Sequence, residues 1–140
     1  MEIPSSLIGD PCKTLARANT IKSSAFNLNA IISAAFFEDD VERLVELAAD
    51  AVPSHGPFSE GLRDVINWHK QYDDWRVTRQ LIHEKYWAYA EGDFTAPVSI
   101  VSSLNNGLTG IMALLYGEGD YTRTVSIATS AGYDLSLIHI

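Results

Sequence analysis

The chain has 140 residues, 46% hydrophobic and 20% charged, a balance that suits one folded domain with its own core and excludes a disordered chain. Ten lysines and arginines stand against eighteen acids, a formal charge of −8, so no stretch collects enough cations to bind a nucleic-acid backbone or an anionic membrane. Cys12 is alone and excludes an internal disulfide, and no secretory-leader pattern opens the chain, so a reducing, cytoplasmic setting is expected.

Taken in order, residues 1–20 carry weak helical character and no core pattern. "AFNLNAIISAAFF" (25–37) is apolar on all sides and is expected to be central in the fold. Asp39 or Asp40 then caps a helix in "VERLVELAADAV", where Val41, Leu44, Val45 and Ala48 recur at three and four, and Pro53 ends it. After a proline turn, Ser59 is the expected N-cap of "EGLRDVINWHKQY", with Leu62, Val65, Ile66 and His69 on one side. Asp73 or Asp74 caps the next helix, with Trp75, Thr78, Leu81, Ile82 and Lys85 spaced for one face.

The most apolar stretch, "APVSIVSSLNNGLTGIMALLYG", is interrupted by two asparagines, two glycines and a proline. It reads as a buried helix ending at Gly117 or Gly119 rather than a bilayer span, which needs about 20 predominantly apolar residues. Asp120 caps the last helix, and Gly132 stops it. Two short runs echo each other, "YAEGDF" (89–94) and "YGEGDY" (116–121), and both fit a helix stop, a turn and an Asp cap. No strand ladder competes, so the expected class is all-α.

Chemistry is sparse in this order of residues. Asn105 and Asn106 lie in an apolar helix, where amides need partners: either helix-to-helix hydrogen bonds or a ligand. His55, His69, His83 and His139 form no HxxxH or HExxH pair, and the acids at 38–40 read as a solvated cap rather than a cation site. Aromatics in "WHKQYDDW" and "EKYWAY" fall at helical spacing, which favours packing over base stacking. Asp134 follows a helix end on "AGY", where a carboxylate serves either as a surface cap or as a ligand.

"ALLYGEGDYTRTVSIATSAGYD" resembles the closing region of the ADP-ribosylglycohydrolase family, including its dinitrogenase-reductase-activating members. The likeness extends upstream through "NNGLTGIMALLYG", "VPSHGPFSEGLRDVINWHKQYDDW" and "AIISAAFFEDDVERLVELA", over roughly residues 15 to 134. It implies an orthogonal multi-helix bundle, incomplete here, in which two Mg²⁺ ions (Mn²⁺ in some members) sit between an early Thr-Asp-Asp and a late Asp-x-Asp-Thr/Ser motif. Activated water then cleaves the glycosidic bond of an ADP-ribose-containing substrate.

By that resemblance Asp134 matches the first aspartate of the late motif and is the metal-ligand candidate. Gly132 and Tyr133 shape the turn before it, and Asn106 matches the family's helix asparagine, a substrate-pocket candidate. No residue matches a catalytic role. An early Thr-Asp-Asp is missing, Leu135 and Ser136 stand where the late motif would continue, and Ile21 replaces a histidine of many members. The expectation is therefore the C-terminal portion of such a hydrolase over 1–134, a fragment inactive by itself. "LSLIHI" (135–140) resembles the translation of a sequencing-library adapter. The alternative expectation is a non-catalytic helical domain that binds a nucleotide or serves as a structural module.

Overall fold

The computed structural model describes residues 29–51, 56–86 and 103–132, and every regular element among them is helical. Residues 29–34 form the helical segment α1. It is followed by α2 (Val41–Ala51), α3 (Pro57–Gln71), α4 (Trp75–Tyr86), α5 (Ser103–Gly117) and α6 (Tyr121–Ala131). The all-α expectation holds for these residues. None of the described helices is long and apolar enough to cross a membrane.

Local chemistry accounts for most helix ends. Asp40 accepts the Arg43 amide at 3.1 Å and starts α2. Asp74 accepts the Arg76 amide at 3.0 Å and starts α4. Both satisfy amides that the first turn of a helix leaves open. The start of α3 differs from the sequence-based expectation. The helix begins at Pro57 behind Gly56, whose carbonyl accepts the Glu60 amide at 3.0 Å, while Ser59 lies buried inside the first turn. Proline at the first helical position needs no amide partner and brings a helical φ, so it displaces the serine as the initiating residue.

The core lies around α5. Leu104, Leu108, Ile111, Met112, Leu115 and Tyr116 are buried on several sides of that helix, and α2, α3, α4 and α6 all pack on it. Leu44, Val45 and Ala48 on α2 and Leu62 and Val65 on α3 bury the faces that their spacing indicates. On α4 the buried residues are Thr78, Ile82 and Tyr86, and Lys85 points out instead. The stripe steps by four from Ile82 to Tyr86, because the apolar ring gains more from burial than an ammonium would.

Lys85 instead joins α4 to α3. Its Nζ lies 2.6 Å from Asp64 and 3.2 Å from Glu60, and the hydrogen bond to Asp64 is the main cause that raises its pKa above the ordinary lysine range. Tyr86 donates its hydroxyl to the same Asp64 carboxylate. Such part-exposed ion pairs contribute only about 0.2–1 kcal/mol each, so the staple orients α4 more than it stabilises the fold.

The segment read as central is not central among the described residues. Ile31 is buried, but Ile32 is 53% exposed, Phe36 80% and Phe37 92%. The chain leaves α1 through a turn at 35–37, which carries both phenylalanines away from the α5 core. The double substitution Phe36→Ser/Phe37→Ser is accordingly expected to change stability by less than about 0.5 kcal/mol. Leu62→Ala, in contrast, is expected to cost about 2–5 kcal/mol. Urea denaturation midpoints of the two variants check both figures.

Candidate functional site

The geometry of the α5–turn–α6 unit follows from five residues, "YGEGD". Gly117 ends α5. Glu118 and Gly119 then both take positive φ, 52° and 80°, and two left-handed residues in succession turn the chain back. The Glu118 amide donates to Leu115 O (3.2 Å) and the Asp120 amide to Gly117 O (2.9 Å), which satisfies carbonyls at the end of α5. Asp120 next accepts the Arg123 amide at 2.7 Å and starts α6, and the Arg123 guanidinium reaches back to Glu118 at 2.8 Å. Of the two expected stops, Gly117 and Gly119, the helix ends at Gly117, and the expected cap at Asp120 is present. The echo at 89–94 lies outside the described residues.

The turn is tight because α6 comes very close to α5. A Cβ built on Gly117 would overlap Thr124 Oγ1 and lie 2.9 Å from Thr124 Cβ and 3.0 Å from its backbone Cα. Along α6, Ile127 and Ala131 are buried, and the helix stops at Gly132, whose φ of 84° turns the chain out of the helix. The Gly132 stop is therefore as expected from the sequence.

Three hydrogen-bonded residues hold the same end of α5 against α3 and α4. Tyr116 donates its hydroxyl to the Tyr72 carbonyl at 2.6 Å, just past the end of α3. Thr78 Oγ1 lies 2.7 Å from the same hydroxyl oxygen. A phenol has one proton, and here it is given to Tyr72, so Thr78 is the donor of that second bond. His69 packs its ring edge-on to Tyr116, with centroids 4.7 Å apart, and its Nδ1 lies 3.8 Å from Glu42 on α2. Burial raises the Tyr116 pKa above the ordinary phenol value, opposed by the Thr78 hydrogen bond and reinforced by the charges of Asp74 and Asp73.

Of the residues nominated from sequence, Asn106 lies half-buried in the first turn of α5, and Gly132 closes α6. They flank the unit at the helix ends remote from its turn. Asn105 is the more deeply placed of the two asparagines, fully buried on the side of α5 that also carries Thr109, Met112 and Tyr116. Asp134 and Tyr133 lie outside the described residues. Thr109 Oγ1 is buried and has no hydrogen-bond partner among the described residues.

Sequence reasoning missed Tyr116 as a junction residue and gave no role to Arg79, whose Nε donates to Ala131 O at 3.2 Å across α4 and α6. The helical spacing of 105, 109, 112 and 116 could have marked Tyr116 as inward-facing. No local signal links Arg79 to Ala131.

Among the described residues, no group of three or more His, Cys, Asp or Glu side chains is placed to hold a metal ion. No family model, curated protein or solved structure matches the sequence.

Proposed function

We propose that this chain is part of a metal-dependent hydrolase of the ADP-ribosylglycohydrolase type, and that it is inactive without acidic ligands beyond its own. The reading rests on the resemblance across "LLYGEGDYTRTVSIATSAGYD". The observation that supports it is the α5–α6 unit. There the "YGEGD" run forms the turn and Asp cap, and α6 stops at Gly132, two residues before Asp134. In such enzymes a pair of divalent ions, Mg²⁺ or Mn²⁺, supplies a polarised water for glycosidic cleavage. This chain contributes one candidate carboxylate, Asp134, with Tyr133 and Asn106 as candidates beside the nucleotide. A single carboxylate is too few for two hard cations, each of which takes about six oxygen ligands.

Dilute Mn²⁺ added to the ¹⁵N-labelled chain tests this directly, because a paramagnetic ion broadens amide signals close to where it binds. Broadening centred on Gly132 and abolished by Asp134→Asn is the expected result. Broadening spread over the acidic surface and unchanged by Asp134→Asn would sink the reading. Incubation with ADP-ribosylated protein and Mg²⁺ is expected to release no ADP-ribose, and release would overturn the claim of inactivity.

A further inference from the structure

We infer that Arg79 is a positioning residue, a tether that fixes how α6 ends and so how the chain leaves the helix at Gly132. Its role in a site rests on the functional reading above, whereas the tether itself stands on geometry alone.

The last carbonyls of an α-helix have no partner within the helix, and the helix end carries partial negative charge. At the end of α6 the carbonyl of Ala131, the last helical residue, accepts from Arg79 Nε at 3.2 Å in a partly buried contact. The guanidinium therefore places a permanent cation where the helix dipole favours one.

Arg79 is well braced for this. The residue before it, Thr78, is fully buried and bonded to Tyr116, which locks the first turns of α4 against α5. Two consecutive residues of α4 thus hold two different helices, Thr78 the end of α5 and Arg79 the end of α6. Contact between α4 and α6 is otherwise slight beside the broad α5–α6 interface. The remaining constraint on the helix end is weak, since the Gly132 amide reaches Thr129 O only at 3.4 Å. Gly132 also lacks a Cβ that would restrict its backbone. Among the described residues, that long bond and the burial of Ala131 are what else holds this end.

Amide hydrogen exchange in the whole chain tests the tether. Arg79→Ala is expected to speed exchange about tenfold over Thr129–Gly132 while leaving the amides of α3 and of the middle of α5 unchanged. Arg79→Lys is expected to recover part of the protection, because an ammonium keeps the charge but loses the planar donor. Unchanged exchange at 129–132, or an equal rise across all helices, would overturn the proposal. The Mn²⁺ titration separates this from the functional reading. If wild-type broadening centres on Gly132 and Arg79→Ala disperses it, the tether positions the site. If wild-type broadening does not centre there, the functional reading fails while the exchange result still decides the tether.

Discussion

Gly117→Ala is expected to destabilise the fold by about 2 kcal/mol, seen as a fall of roughly 6–8 °C in thermal midpoint. Alanine in place of glycine usually helps a helix by up to about 1 kcal/mol, so the sign here depends on packing. The new Cβ would overlap Thr124 Oγ1, and a change of rotamer could move that atom away. It would still lie 2.9 Å from Thr124 Cβ and 3.0 Å from Thr124 Cα, atoms fixed by the α6 backbone. Only separation of the two helices relieves those contacts, at the expense of the buried surface between them. Thr124→Ala added to Gly117→Ala should therefore restore only part of the loss. Gly110→Ala is the control on the same helix. Its added Cβ meets no described atom within 4 Å, so the propensity gain should stand and the midpoint should hold or rise. A midpoint unchanged by Gly117→Ala would mean that α5 and α6 do not approach as closely as described.

Tyr116→Phe should cost a similar amount, about 1–3 kcal/mol, because it leaves buried polar groups without their bonds. The ring and its contact with His69 remain. What is lost is the acceptor for the Thr78 hydroxyl, which is fully buried, and the donor to the Tyr72 carbonyl. Replacing Thr78 with valine as well removes one of the stranded groups, so the double variant should be more stable than the sum of the two single losses implies. The pH dependence gives a second signature. The folded Tyr116 pKa is raised by burial, so below the ordinary phenol value of about 10 the hydroxyl is protonated whether folded or unfolded, and its contribution is complete. As pH rises past that value, the unfolded chain ionises first and stability falls toward the folded pKa. The stability gap between wild type and Tyr116→Phe should therefore be widest near pH 9 and narrow by pH 11. A gap that stays constant over that range would contradict the burial of this hydroxyl. The remaining tyrosines titrate in both proteins and cancel in the difference.

These two effects fall where the sequence is least informative. Asp40, Asp74 and Asp120 could be read as caps because a side chain need reach only an amide two or three residues on. Gly119, one of the two expected stops of α5, and Gly132 could be read as stops because positive φ near a helix end favours glycine. Spacing at three and four likewise indicated the buried faces of α2 and α3. It failed over 29–37, the described part of an apolar run without clear periodicity that was expected inside the fold, where Phe36 and Phe37 lie at the surface. Hydrophobicity without a period cannot say which side a segment turns inward. The Ser59 cap failed for a local reason, since Pro57 starts the helix two residues earlier.

The sequence by itself determined the class: an acidic chain, all-helical over its described residues, most of whose helix ends are set by residues within one turn of them. The proposed kinship with the ADP-ribosylglycohydrolases likewise rests on the order of residues alone, on "YGEGD" and "GYD". Only the tertiary structure decided that Tyr116 binds Thr78 and Tyr72 across separations of 38 and 44 residues, that Arg79 reaches Ala131 across 52, and that Gly117 admits Thr124. Caps and periodicity act over one or two turns of backbone and leave a mark in neighbouring residues. Close packing joins residues distant in sequence, and it becomes visible only when the helices have chosen their partners.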